Sequence, residues 1–148
     1  MVKCTGCILL ATLLYSNATV LTAAPEQECP DHETLAKLIT NPDTYHDKSV
    51  WVVAYTTIEF EYMTACPSEN DTEIQNCLWL NIDDGPYKTD EDYARYESKL
   101  QTWQQFHRET VAIRATFDKT LNGHFSMWPG TLRNVTEVLM SQNGCTTL

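Results

Sequence analysis

From Val50 to Tyr62 the apolar positions alternate. Val50, Val52, Ala54, Thr56, Ile58, Phe60 and Tyr62 fall on one face at the period of two that an extended strand imposes. The opposite face starts apolar, with Trp51, Val53 and Tyr55, and turns polar at Thr57, Glu59 and Glu61. The pattern predicts burial on both faces at first, then on one. The run is long for a single strand, so it predicts a bent strand, or two strands meeting near Tyr55-Thr56-Thr57. Upstream, Asp31 is placed to cap a short helix with Leu35, Leu38 and Ile39 on one face. Asn41-Pro42-Asp43 ends that helix, and His46-Asp47-Lys48 reads as a turn.

Further along, Leu78, Leu80 and Ile82 alternate in a second strand region, Cys77 to Ile82. A polar, acidic loop from Cys66 to Cys77 precedes it, and the turn cluster Asp83-Asp84-Gly85-Pro86 follows it. The period then changes. Thr89 opens a helix with Asp90, Glu91 and Asp92 in its first turn, where acids favour the positive end of the macrodipole. Tyr93, Tyr96, Leu100, Trp103 and Phe106 recur at helical spacing and predict its buried face, with Glu91 and Arg95 paired on the other side. Val111, Ile113, Ala115 and Phe117 mark a strand over 110–118. Asn122-Gly123 is a turn, 124–130 a loop with three large apolar residues, and 131–139 a last strand whose Leu132, Val135 and Leu139 also fit a helix.

If the long first strand counts as two, the order is three strands, a helix and two strands. That order predicts a mainly β protein: an OB-like five-stranded Greek-key barrel, with a helix between strands 3 and 4 and a short N-terminal helix. The chain also resembles a group of uncharacterised bacterial exported domains with OB-like folds. The resemblance spans about residues 41–139. It rests on Asn41-Pro42 with Tyr45, Lys48 and Val50, on Phe60-Glu61, on Leu78-Trp79-Leu80 and on Ala115-Thr116-Phe117. It continues in Gly123-His124-Phe125, Gly130 and Asn134-Val135-Thr136. It implies the fold and an exported location, and no activity to carry over to particular residues.

The first residues agree with export. Lys3 is the only charge before Glu26, and a short apolar run, Cys7 to Tyr15, follows it. Such a run suits a signal peptide better than a membrane span. Ser16-Asn17-Ala18 and Thr22-Ala23-Ala24 offer cleavage sites, the second followed directly by Pro25. The expected organisation is 1–24 as signal peptide and cleavage region, 25–40 as linker and short helix, and 41–148 as the OB-like domain, periplasmic or secreted. Cys7 begins the apolar run, where a lipid-attachment cysteine would follow it.

Charge narrows the partners. Ten Lys and Arg stand against 20 Asp and Glu, a formal net of −10. Such a surface repels nucleic acid and anionic lipid, and favours solubility or a basic partner. The aromatic residues, which on an OB-like barrel invite a base-stacking reading, therefore do not predict nucleic-acid binding. Of six cysteines, Cys4 and Cys7 leave with the leader. Cys29, Cys66, Cys77 and Cys145 remain and allow three pairings, of which Cys66–Cys77 and Cys29–Cys145 are expected. These four are not part of the family pattern. With no C-x-x-C in the body, a zinc site is not expected.

Candidate chemistry is sparse. His124 follows Gly123 in an aromatic loop, and Trp128 beside Pro129-Gly130 is placed as an exposed anchor. Glu59 and Glu61 lie two apart on one predicted strand, so they point the same way. Paired carboxylates can do acid–base work, but a solvated strand face is the commoner role. The acids at 83–92 lack the ligand spacing of a calcium loop. No nucleophile–base pair and no phosphate-cradling glycine loop is present, so no catalytic residue, metal or cofactor is expected. The acceptor tripeptides at Asn17, Asn70 and Asn134 carry no meaning in the bacterial host that the resemblance implies. The expected function is an exported, disulfide-stapled, non-enzymatic acidic binding domain for a protein partner. One version is a periplasmic immunity or inhibitor protein against a basic toxin or cell-wall hydrolase. The alternative is a small-ligand or glycan binder using the 123–130 loop. The candidate binding residues are Glu59, Glu61, His124, Phe125 and Trp128.

Overall fold

The computed structural model describes residues 32–83, 85 and 87–140. The leader, Asp31 and the Cys29–Cys145 pairing lie outside the described residues. Two short helices, α1 (Leu35–Thr40) and α2 (Pro42–Tyr45), come first. Strands β1 (Ser49–Glu59), β2 (Tyr62–Cys66) and β3 (Leu78–Leu80) follow. Helix α3 (Asp90–Trp103) then leads to β4 (Glu109–Asp118) and β5 (Thr131–Met140). The strands close a barrel in the order β1-β2-β3-β5-β4. All neighbours are antiparallel except β3 and β5, which run parallel. This is the OB-like barrel expected from the element order, with α3 between the third and fourth strands. The last element is a strand throughout, which settles its helix–strand ambiguity.

Alternation builds the core. Val50, Val52, Ala54, Thr56 and Ile58 of β1 point inward, against Val111, Ile113, Ala115 and Phe117 of β4. Leu78, Leu80 and Leu132 close the interior from the other side, and Leu35 and Leu38 of α1 pack under it. The first helix is capped by the Thr34 hydroxyl, which accepts from the Lys37 amide.

Two boundaries differ from the sequence pattern. The long strand does not divide in two near residue 56, although it exchanges its neighbour β4 for β2 there, at Tyr55-Thr56. It runs unbroken to Glu59 and reverses at Phe60-Glu61, where Glu59 pairs with Tyr62. Phe60 therefore leaves the inward face and is 72% exposed. Asn41-Pro42-Asp43 does end α1, but Pro42 also starts α2, where its fixed φ and missing N–H suit the first helical position.

Helix α3 begins at a capping box. The Thr89 hydroxyl accepts from the Asp92 amide, and the Asp92 carboxylate accepts from the Thr89 amide. Its far end is tied to β1. The Gln104 side chain donates to the Ile58 carbonyl, and the Arg108 amide to that of Thr56. The buried Thr56 hydroxyl donates to the Phe106 and Glu109 carbonyls. Anchored at both ends, the helix holds one side along the barrel wall.

Cys66 and Cys77 form a disulfide, with sulfurs 2.12 Å apart. It closes the loop between β2 and β3, as expected from the spacing. The sulfurs lie under Trp128, which is 4% exposed and packs on Trp79 and Tyr62. Trp128 is thus not the exposed anchor expected of it. An indole that covers a buried disulfide removes more apolar surface from water than one standing in a loop.

Candidate functional site

The described residues enclose an open cleft of about 930 Å³. It runs over β2 and β3, between the β1–β2 turn and the β4–β5 connection, with α3 as one wall. This is the face through which OB-like barrels hold their ligands. Met63 and Trp79 form the floor, Tyr93, Tyr96, Glu97 and Leu100 the helix wall. Phe60, Glu61, Leu121 and His124 stand at the rim, where Glu61 and His124 meet, and Arg133 and Asn134 contribute from β5.

Local backbone geometry places several of these groups. β5 carries a bulge: Arg114 faces Glu137 while Thr116 faces Arg133, so three residues of β5 oppose Ala115. Asn134 sits in the bulge at φ 49, and the bend brings it and Arg133 to the cleft. Glu61 holds φ 56 in the hairpin turn, and Phe125 and Ser126 hold φ 55 and 54 beside it. Left-handed backbone is unfavourable for such residues, and it gathers at ligand-facing loops in folded proteins. Gly123, at φ 65 and ψ −161, lets the β4–β5 connection lie directly on the Trp79 ring.

Charges in the cleft are unevenly matched. Asp83, nearly buried, takes the Arg95 guanidinium at 3.1 Å and the Lys99 ammonium at 3.0 Å. Burial pushes its carboxyl up, but Lys99, Arg95 and the Gly85 amide hold it below the usual carboxylate range. Arg95 also pairs with Asp92 at 2.9 Å, rather than with Glu91 as the helix spacing predicted, because Asp83 draws it towards the barrel. Arg133 bridges Asp118 at 2.9 Å and Asp47 at 2.7 Å. Glu61 faces His124 at the looser distance of 3.9 Å, and Glu97 makes no ion pair among the described residues. Tyr96 sits in the resulting negative field. Burial first, then the Glu61 and Asp83 carboxylates, raise its phenol.

His46, Asp47 and Asp118 offer ligand atoms within 4.8 Å of one another. The Arg133 guanidinium already occupies both carboxylates, and the His46 Nδ1 accepts from the Lys119 amide at 3.4 Å. The group reads as an ion-pair network. Burial pushes the Asp118 carboxyl up, but the Thr120 hydroxyl and amide and the Arg133 guanidinium outweigh it and hold the group at about 2. A depressed folded value means stability that is full above the ordinary value of 3.8 and lost as pH falls from there to about 2. We expect about 2 kcal/mol to disappear over that window. Urea midpoints at pH 6, 4, 3 and 2 measure it, and Arg133→Gln, which lets the folded value rise towards 3.8, should shrink the loss.

Of the residues expected at the site, Glu61 and His124 line the cleft. Phe125 stands just outside it, 81% exposed, with its ring 4.0 Å from that of His124. Glu59 is exposed on β1, away from the lining, and Glu61 is in the turn, so the two do not share a strand face. Trp128 lies beneath, against Trp79. Sequence reasoning missed the tyrosines. Tyr93 is 56% exposed, not core, and Tyr87 and Tyr96 stand edge to face at 5.4 Å. Their hydroxyls were the available signal: a helix face of tyrosines rather than leucines suits a half-wet wall. No family model matches the chain, and no curated protein or solved structure is significantly similar to it.

Proposed function

We propose that this chain is an exported, non-enzymatic binding domain that takes a segment of a protein partner into the cleft beside α3. The carrying observation is the exposed aromatic rim. Phe60 and Phe125, 72% and 81% exposed, flank the point where His124 meets Glu61, and both belong to loops bordering the cleft. Large apolar side chains held at the mouth of a concave site are typical anchors for a partner. The acidic balance of the chain favours a basic partner, as an immunity or inhibitor protein against a basic toxin or cell-wall hydrolase would require.

Affinity capture from the native host tests this reading. The wild-type chain should retain a basic protein in stoichiometric amount. Phe60→Ser and Phe125→Ser should each weaken retention by about tenfold without changing the circular dichroism, since both rings are outside the core. Capture of no stoichiometric partner, or capture indifferent to both variants, overturns it.

The cleft volume favours a second reading, a small ligand or glycan held on the tyrosine wall. That reading expects a free ligand to quench tryptophan fluorescence through Trp79, with the response lost in Trp79→Phe. No response across metabolites and neutral oligosaccharides removes it.

A further inference from the structure

Resting on the binding role proposed for the cleft, we infer that what it holds is an organic cation, seated against the tyrosine faces of α3 between Glu61 and Glu97. The inference names the chemistry of the group that enters, whether a lysine or arginine side chain or a free quaternary ammonium.

The lining carries the case. Tyr87 and Tyr96 present rings inclined at 83°, and Tyr93 stands 6.3 Å from Tyr87. Trp79 forms the floor. Aromatic faces attract cations through the ring quadrupole. A neutral ligand would use the same rings by stacking alone, so the rings do not decide the charge. The carboxylates do. The cationic side chains around the cleft are already committed: Arg95 and Lys99 to Asp83, and Arg133 to Asp118 and Asp47. Glu97 makes no ion pair among the described residues, and Glu61 has only His124 at 3.9 Å. An anion entering here meets the exposed carboxylates of Glu61 and Glu97. A cation meets their field and an aromatic surface together. Burial raises the Tyr96 phenol first, and the Glu61 and Asp83 carboxylates raise it further.

Titration of the full chain with choline and with its neutral isostere, 3,3-dimethylbutan-1-ol, followed by tryptophan fluorescence and calorimetry, tests the inference. A second arm uses N-acetyl-lysine amide and N-acetyl-arginine amide. Choline or one of the amino-acid amides should bind, and the isostere should bind at least about tenfold more weakly. Tyr96→Leu and Glu97→Gln should each weaken the cation by about 3- to 10-fold. Glu97 is exposed, so its variant keeps the test valid if Tyr96→Leu fails to fold. Preference for choline over the amides assigns a free quaternary ammonium, and the reverse assigns a partner's side chain. Equal binding of the isostere, or no binding of any cation, overturns the inference. Partner capture that still depends on Phe60 would then leave the binding role standing. Loss of both would remove both.

Discussion

Gly123→Ala should destabilise the domain by about 4 kcal/mol, the sum of a strained backbone and a steric clash. At φ 65 and ψ −161 the residue occupies a region that only glycine enters freely. A β-carbon there would lie 2.6 Å from Trp79 Cγ and 2.8 Å from Trp79 Cβ. Neither partner can move cheaply. Trp79 is a β3 residue paired with both Thr64 and Thr131, and its ring is packed on Trp128. Thermal unfolding should show a midpoint lower by more than about 10 °C. Where the loop yields instead of the barrel, the same substitution will lift residues 123–128 off the Trp79 ring. Tryptophan emission will then shift before global unfolding. An alanine variant that melts with the wild type would show that the close approach of this loop contributes nothing.

Removing the disulfide has the second largest expected effect. Alanine at both Cys66 and Cys77 should lower stability by about 3 kcal/mol, through the added freedom of the unfolded chain. The bridge joins residues 11 apart in sequence and closes the loop that feeds β3. Both cysteines are 1% exposed, covered by Trp128, so the folded protein should resist reductant until it opens. Urea titration of the double variant measures the loss. Thiol labelling after dithiothreitol treatment, with and without urea, measures the protection. Rapid labelling of the native protein would contradict the burial.

Periodicity carried most of the barrel. The alternation of Val50 to Ile58 and of Val111 to Phe117 is visible in the chain and matches the inward faces of β1 and β4. The hairpin at Phe60-Glu61 was not legible, because apolar alternation runs straight through it and no glycine, proline or asparagine marks it. Glu61 takes a left-handed conformation that its residue type does not announce. The cleft was hidden for a different reason. Tyr93 and Tyr96 at helical spacing define a face, but spacing does not say whether that face ends in core or beside water. The pairing of Arg95 with Asp83 needs the helix laid back on the barrel, which no local rule supplies. Trp128 reads as exposed beside Pro129-Gly130 until the disulfide that it covers is brought underneath.

The parallel seam between β3 and β5 is short, only Trp79 with Thr131 and Leu80 with Leu132. It joins segments about fifty residues apart in the chain, so its contacts repay their loop entropy late, after the hairpin and the β4–β5 pairing are in place. This short joint carries the floor of the cleft. A ligand of the kind proposed, if it contacts Trp79 only in the closed barrel, would act as a latch on that joint: at a hundred times its dissociation constant it would add about 2.7 kcal/mol to the closed state. Under the proposed binding role, occupancy and folding would become one equilibrium, and the domain would be most durable with its cleft full.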